Sequence, residues 1–372
     1  MNINGIIAAA ITVISVCAVL LVIFLVLLIV YYSARDKIMQ NISYERSFSE
    51  DGVFEGESCV LTETISNKGF LPLFGVIVES YFYKDLELDG IVCPQTEALL
   101  YNESRFNLLP YMQIKRRHNV KCLKRGFYAL ESANIVFFKS EKLVTAGTDI
   151  YVYPKIVPIK ENMYATGALQ GDYTASRRLI PDPFNMSGIR EYLPGDSFNM
   201  INFKATAKSA YSIKVNNYDY SSSRTVAIYM NFQMDPENTL PTDIFEAMME
   251  RGLSYVSALV RTALDSGSRV GYTANCNLVT GERFVSFAPA NSRIHLIDIL
   301  REMAMTRISE GVSFISLLDQ AVADSVTESE IYIVTSFVNE EISERASRLV
   351  RQGNTVRIVE LEKDKDDEKG AL

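Results

Sequence analysis

Hydrophobic positions along the chain fall into three regimes. Residues 6–32 form an apolar run with no interruption and no charge. As a helix this run is roughly 40 Å long, enough to cross a ~30 Å hydrocarbon core with some tilt and too short to cross twice. From residue 38 to about 157, short runs alternate between apolar and polar residues. They predict strands at 59–65, 76–82, 104–108, 113–121, 126–132 and 134–138, with Asn67-Lys68-Gly69 as a turn. Short strands between turn signals make a small β-sandwich. After residue 225 the pattern changes again. Apolar runs at 225–232, 269–274, 283–287, 330–337 and 355–361 read as strands, most of them buried on both faces. Between them lie helical repeats at 243–264, 293–306, 313–322 and 340–352, the last stopped by Gly353. In the first of these, Phe245, Met248, Met249, Leu253, Val256, Leu259 and Val260 recur at i, i+3, i+4 and i+7. Strand–helix alternation predicts a doubly wound α/β sheet.

The divisions follow: an anchor over 1–37, a β-sandwich over 38–157, a connector with a dense turn motif over 158–224, an α/β domain over 225–362 and a charged tail over 363–372. The fold class is α+β multidomain. Residues 158–187 are rich in Gly, Asn, Asp, Ser and Pro and read as an irregular wrapping connector, with Ile180 and Phe184 as apolar anchors.

The apolar run reads as a transmembrane helix and not a cleaved signal peptide. No basic segment precedes it, its core is too long, and no small-residue cleavage site follows. Tyr31 and Tyr32 stand where an interfacial aromatic belt belongs, followed by Arg35 and Lys37. Positive charge on that side alone predicts a single-pass protein of the cell membrane with the bulk of the chain cytoplasmic.

A net charge of −8 without a long basic patch excludes a general nucleic-acid binder. Cys17, Cys59, Cys93, Cys122 and Cys276 form no C-x-x-C pair, so zinc and redox motifs are absent and a reducing compartment suits them. After export, a bridge from Cys59 to Cys122 or to Cys93 is the alternative. The two histidines offer the pairs His118 with Cys122 and His295 with Cys276 for nucleophilic chemistry. The first pair shares a strand face without bonding contact, and the second is split between a strand end and a helix start. No P-loop, dinucleotide fingerprint or H-E-x-x-H is present. Neither catalytic residues nor a cofactor are implied.

The turn motif is GIREYLPGDSFNMINFKATAKSAYSIKV, residues 188–215. Pro194-Gly195-Asp196 is a tight turn, with Gly195 at a position that calls for φ > 0. Residues 189–192 read as a strand and 211–215 as a second. Asp196 or Ser197 is positioned to N-cap a short helix through Phe198, Ile201, Asn202 and Phe203. The series REYLPGD, INFKATAK and KVNNYD, with the lead-in Gly167 to Tyr173, Arg177-Arg178 and Asp182-Pro183-Phe184, resembles the signature of the domain of unknown function 58 family in its Firmicutes-type branch. Phe203 stands where that family most often has Trp. Lys124-Arg125-Gly126-Phe127-Tyr128 resembles the family's Arg-Gly-x-Tyr turn, whereas Val136-Phe137-Phe138-Lys139 departs from its Asp-Pro-Phe-Gly.

The resemblance implies an immunoglobulin-like sandwich and a von Willebrand factor type A-like α/β domain, the latter also suggested by the order and lengths of the elements. Such domains often bind a divalent metal through D-x-S-x-S after the first strand. Here Met230-Asn231-Phe232-Gln233-Met234 lacks those ligands, Thr335-Ser336-Phe337 adds no carboxylate, and Asp235 reads as a turn residue, so no metal site is expected. The resemblance also implies partners, a MoxR-type AAA+ ATPase and a transglutaminase-like membrane protein. The expected role is a non-enzymatic, membrane-anchored scaffold or adaptor, and the alternative is an exported cell-surface adhesion module. Arg190, Tyr192, Pro194, Gly195, Asp196, Asn202, Phe203, Lys204 and Lys208 are the site residues. They form either an internal clasp, which is favoured, or, through Arg190, Lys204, Lys208 and Lys214, a docking surface for acidic groups.

Overall fold

The computed structural model describes residues 3–33, 35–88, 99–137, 140–157, 181–193, 196, 198–209, 212–220 and 225–362. It divides into two compact units, Met1–Lys155 and Ile156–Leu372.

The first unit opens with helix α1 (Ile3–Ser33) and the short helix α2 (Arg35–Gln40). Over Ile11–Val30, α1 is long and apolar enough to cross a membrane, and none of that stretch is buried in the protein. A core helix of the same composition would be covered. The strands that follow are β1 (Ile42–Phe48), β2 (Gly52–Phe54), β3 (Ser58–Asn67), β4 (Leu73–Tyr83), β5 (Leu86–Leu88), β6 (Leu99–Leu108), β7 (Gln113–Cys122), β8 (Gly126–Phe137) and β9 (Ser140–Tyr153). They form two sheets, ordered β1-β3-β7-β5 and β2-β9-β8-β4-β6. Pairing is antiparallel except between β2 and β9. Ile38 and Met39 of α2 join Ile42, Leu73, Val76, Phe106, Ile135 and Phe137 in one core, so α2 plugs that end of the sandwich. A second core, with Val53, Leu61, Phe82, Leu86 and Ile150, fills the far end.

The strands unforeseen in the sequence include β1, the short β5 and the greater part of β9. β1 reads ISYERSF and turns Arg46 inward, where an apolar residue is the usual signal. β9 turns Leu143 outward and Ala146 inward. The strands expected at 126–132 and 134–138 are one strand, β8, whose register with β9 shifts between Leu130 and Ser132. That irregularity frees carbonyls, and Arg46 takes them. Its Nη2 donates to Leu130 O at 3.2 Å and Ser132 O at 3.0 Å, and its Nε to Ala146 O at 3.3 Å. One buried cation thus staples the two sheets.

The second unit contains β10 (Pro181–Glu191), α3 (Phe203–Lys208) and β11 (Lys214–Tyr220). After them come β12 (Thr225–Met230), α4 (Thr242–Asp265), β13 (Arg269–Ala274), β14 (Cys276–Leu278), β15 (Val285–Ala290), α5 (Arg293–Met305), β16 (Thr306–Glu310), α6 (Phe314–Ala323), β17 (Ser329–Thr335), α7 (Glu340–Arg351) and β18 (Thr355–Glu360). The main sheet runs β15-β13-β12-β17-β18, parallel except for β15 at the edge. In chain order of its strands this is 3-2-1-4-5, so connections diverge on either side of β12. All seven periodic residues of α4 are buried. Gly252 allows α4 close to the sheet, because a Cβ there would sit 2.7 Å from Leu361 Cδ1 and 3.2 Å from Met230 Cε. The opposite face packs Ala227, Tyr229, Ile331 and Ile333 against α6 and α7.

The sequence missed the antiparallel sense of β15 and the small ribbon of β14 with β16. The connector also needs correction: its last seven residues belong to β10. Residues 158–180, with Ile180, lie outside the described residues, and so does the Phe184 side chain.

Candidate functional site

The turn motif folds as an antiparallel hairpin of β10 and β11, with Arg190 opposite Val215 and Glu191 opposite Lys214. Between the strands, Phe198–Met200 make a 3₁₀ turn, Ile201 bridges to Val215, and α3 follows. The second strand begins later than the sequence suggested, at Lys214.

Asn202 organises this insert. Its Oδ1 accepts from Ala205 N at 2.9 Å and so caps α3, and its Nδ2 donates to Asn216 Oδ1 at 2.7 Å. Its backbone N donates to Lys214 O at 2.8 Å. The cap expected of Asp196 or Ser197 is therefore made by Asn202; Ser197 lies outside the described residues, as do Pro194 and Gly195. Asp196 faces backwards instead. It meets the Arg190 guanidinium in a two-pronged pair, Nη1 to Oδ2 and Nη2 to Oδ1, both 2.7 Å, and accepts from Leu193 N at 2.8 Å. Arg190, then the Leu193 amide, hold its carboxyl down at about 2. Lys214 Nζ donates to Glu191 Oε1 at 2.9 Å.

Two of the four expected docking cations, Arg190 and Lys214, thus have carboxylate partners inside the hairpin. Lys204 and Lys208 stay exposed one turn apart on α3, a helix that buries no residue. Apolar side chains of this segment are exposed as well: Phe198 is 79% and Phe203 76% exposed, and Leu193, Ile189 and Ile213 are also exposed. Tyr192 is half-buried. What sequence reasoning missed is the outward direction of both phenylalanines.

A second candidate place is the end of β12, where connections diverge and open α/β sheets receive ligands. Asn231, Asn275 and Thr335 are buried there. Asn231 Nδ2 donates to Thr335 Oγ1 at 3.1 Å, and its Oδ1 accepts from Asn275 Nδ2 and Gln233 N, each at 3.0 Å. Asn275 Oδ1 accepts from Phe232 N at 2.6 Å. Asp235 accepts from Glu237 N, a turn contact. Among the described residues no group of three His, Cys, Asp or Glu side chains could hold a metal ion.

The nucleophile–base pairs are not brought together. His118 meets Glu63 at 3.0 Å, and His295 Nε2 lies 2.6 Å from Val270 O. Cys276 Sγ lies 3.5 Å from Thr306 Oγ1. Cys59 and Cys122 are buried, free and hydrogen-bonded to each other. That bond, then burial, pushes the Cys122 thiol up. Cys93 lies outside the described residues.

No family model matches the chain. No curated protein matches it either. Solved structures with a similar portion include the CARDB domain of the PF1109 protein from Pyrococcus furiosus, in complex with di-metal ions. It is 14% identical over 30% of this chain and 93% of that domain, with a TM-score of 0.21. Spo0M, a sporulation control protein from Bacillus subtilis, is 15% identical over 30% of this chain and 49% of its own, with a TM-score of 0.20. The β-glucosidase EmGH1 from Erythrobacter marinus is 10% identical over 30% and 15%, with a TM-score of 0.21. Likeness at this level transfers none of these proteins' ligands or reactions to this chain.

Proposed function

We propose that this protein is a membrane-anchored, non-enzymatic adaptor whose hairpin is a docking surface. The observation that carries the reading is the pairing of exposed Phe198 and Phe203 with exposed Lys204 and Lys208, on a frame that closes Arg190 on Asp196. Exposed aromatics beside cations are the makings of a recognition hot spot for an acidic surface. The Arg190–Asp196 pair also suits the internal clasp, but it leaves Phe198 and Phe203 exposed, and docking is the reading that gives those rings a role. The resemblance to the domain of unknown function 58 family makes the partner a MoxR-type AAA+ ATPase, with a transglutaminase-like membrane protein in the same assembly. In this reading the sandwich is immunoglobulin-like and the 3-2-1-4-5 sheet is von Willebrand factor type A-like. α1 is the single span, and Arg35 and Lys37 keep the bulk of the chain in the cytoplasm.

The test is a photo-crosslinking amino acid at Phe203 in the full chain in cells. An adduct with an AAA+ ATPase, lost in Lys204→Glu/Lys208→Glu, supports the proposal. Adducts with the transglutaminase-like protein alone, or none, overturn it. The exported adhesion module has one observation on its side: an oxidising compartment would act on the adjacent Cys59 and Cys122 thiols.

A further inference from the structure

The end of the sandwich that receives the chain from α1 carries an apolar tip. Two loops build it, residues 68–72 and 109–112. Lys68 N donates to Asn41 O at 2.9 Å, which places the first loop beside the residue that follows α2. Tyr111 N donates to Gly69 O at 3.2 Å, and Asn67 N to Met112 O at 2.9 Å, joining the second loop to the first. Buried Asn67 ties both, because its Nδ2 donates to Leu71 O at 2.7 Å and Leu109 O at 3.2 Å.

This fixed frame turns apolar side chains outward. Phe70 is 72% exposed, Tyr111 74%, and Leu109 and Met112 are exposed beside them. Phe74 joins them because Gly75, at φ +74°, makes an irregularity in the β4–β6 pairing that throws Phe74 off the core face. Tyr111 itself has φ +56°, a turn position that ordinarily goes to Gly or Asn. A bulky aromatic held there, pointing away from the protein, is not explained by packing. Scattered apolar residues are normal on a surface, but these lie together on two bonded loops.

We infer that this tip lies in the interfacial layer of the bilayer, as a second contact beside the α1 span. The inference rests on the reading of α1 as a membrane anchor. Only residues 34–40 separate α1 from Asn41, and α2 folds six of them into a helix whose Ile38 and Met39 are buried in the sandwich. The short tether keeps this end of the sandwich near the head groups. Aromatic and long apolar side chains partition into that layer. The nearby charge is mixed, with exposed Lys37 and Lys68 against exposed Glu141, so apolar insertion and not attraction to anionic lipid is the chemistry. The tip would fix the tilt of the sandwich on the membrane.

The chain has no tryptophan, so a single introduced Trp reports its own surroundings. The full chain is reconstituted in nanodiscs with and without brominated lipid, as Phe24→Trp in α1, Tyr111→Trp at the tip and Leu123→Trp at the far end of the sandwich. β3 spans that length with ten residues, or roughly 33 Å. Quenching of Trp at 24 and 111 but not at 123, unchanged between neutral and anionic lipid, is the expected result. Quenching at 24 with none at 111 overturns the inference and leaves the anchor standing. No quenching at 24 overturns the anchor and the inference with it. Phe70→Trp repeats the readout from the facing loop, so a local defect at position 111 does not decide the outcome.

Discussion

Removing the Glu63 carboxylate tests what holds the sandwich together. Glu63 is 3% exposed and accepts from the Tyr44 hydroxyl at 2.6 Å and pairs with His118 Nε2 at 3.0 Å. Its charge also offsets that of Arg46, the cation that staples the sheets. Burial pushes the Glu63 carboxyl up, but the bonds from His118 and Tyr44 outweigh it and hold it below the ordinary carboxylate value. Tyr44→Phe removes one hydrogen bond to a charged group, worth about 1.5–3 kcal/mol. Glu63→Ala strands the Tyr44 hydroxyl and leaves Arg46 without its buried anion. Removing one member of a buried ionic set costs about 3–5 kcal/mol. That is a large share of the 5–15 kcal/mol typical of a whole domain.

Hydrogen exchange read by mass spectrometry on the reconstituted full chain localises the effect to β1, β3 and β7. At about 1.4 kcal/mol per decade, Glu63→Ala should speed exchange there by roughly two to four decades, and Tyr44→Phe by one to two. A change below tenfold in Glu63→Ala refutes the Glu63 carboxylate as a support of this sheet. The pH dependence has a fixed sign. A depressed carboxyl lends stability above its unfolded value of ~4.3 and loses it as pH falls through the folded value. The melting-temperature gap between wild type and Glu63→Gln should therefore narrow from about pH 5 downward. A gap that widens contradicts the assignment.

Carbon-detected titration of Asp196 should give a midpoint near 2, where Arg190 and then the Leu193 amide hold it, and a rise towards ~3.9 in Arg190→Ala; an unshifted midpoint in wild type denies the pair. Asn231→Ala strands the buried Asn275 Nδ2 at about 1–3 kcal/mol, whereas Thr335 Oγ1 keeps Phe337; thermal unfolding reads the loss, and a loss below about 1 kcal/mol shows that the amides are not mutually dependent. Cys59, Cys122 and Cys276 are each no more than 2% exposed, so an impermeant maleimide would miss them in either topology. Leu123→Cys, at a 45% exposed site, should stay unlabelled in intact cells and react after permeabilisation, and labelling of intact cells would reverse the orientation.

Where side chains followed the period of their element, the sequence was legible. The α4 stripe is buried at all seven expected positions, and Gly353 ends α7 at φ +90°. β1 and β9 were illegible because their inward positions carry Arg46 and Ala146 while Leu143 points out. Inward charge is affordable only because the β8–β9 irregularity supplies carbonyls, a long-range fact that no local window contains. The hairpin was legible as a turn with an arginine and an aspartate six apart. Its aromatic faces were not, since Phe198 and Phe203 have the same local appearance whether they point in or out. The one cue was α3, six residues with Lys204 and Lys208 on one side and only Thr206 and Ala207 as helical neighbours for Phe203.

The two candidate places use polar side chains in opposite ways. At the end of β12, Asn231 Oδ1 accepts two bonds and its Nδ2 holds Thr335, all out of solvent. A polar ligand entering there must first break bonds that are already made in a low dielectric, where unmade bonds are most costly. In the hairpin the polar bonds run inward as well, Arg190 to Asp196 and Asn202 to Asn216, but they support a surface and do not fill a crevice. Phe198, Phe203, Lys204 and Lys208 are held outward on that frame. In the docking proposal a partner would meet them with part of the ordering cost already met, which is where a rigid turn contributes to affinity. Phe203 is the discriminating residue. It is 76% exposed, so Phe203→Ser costs the fold little, and any loss of partner capture in that variant belongs to docking and not to stability.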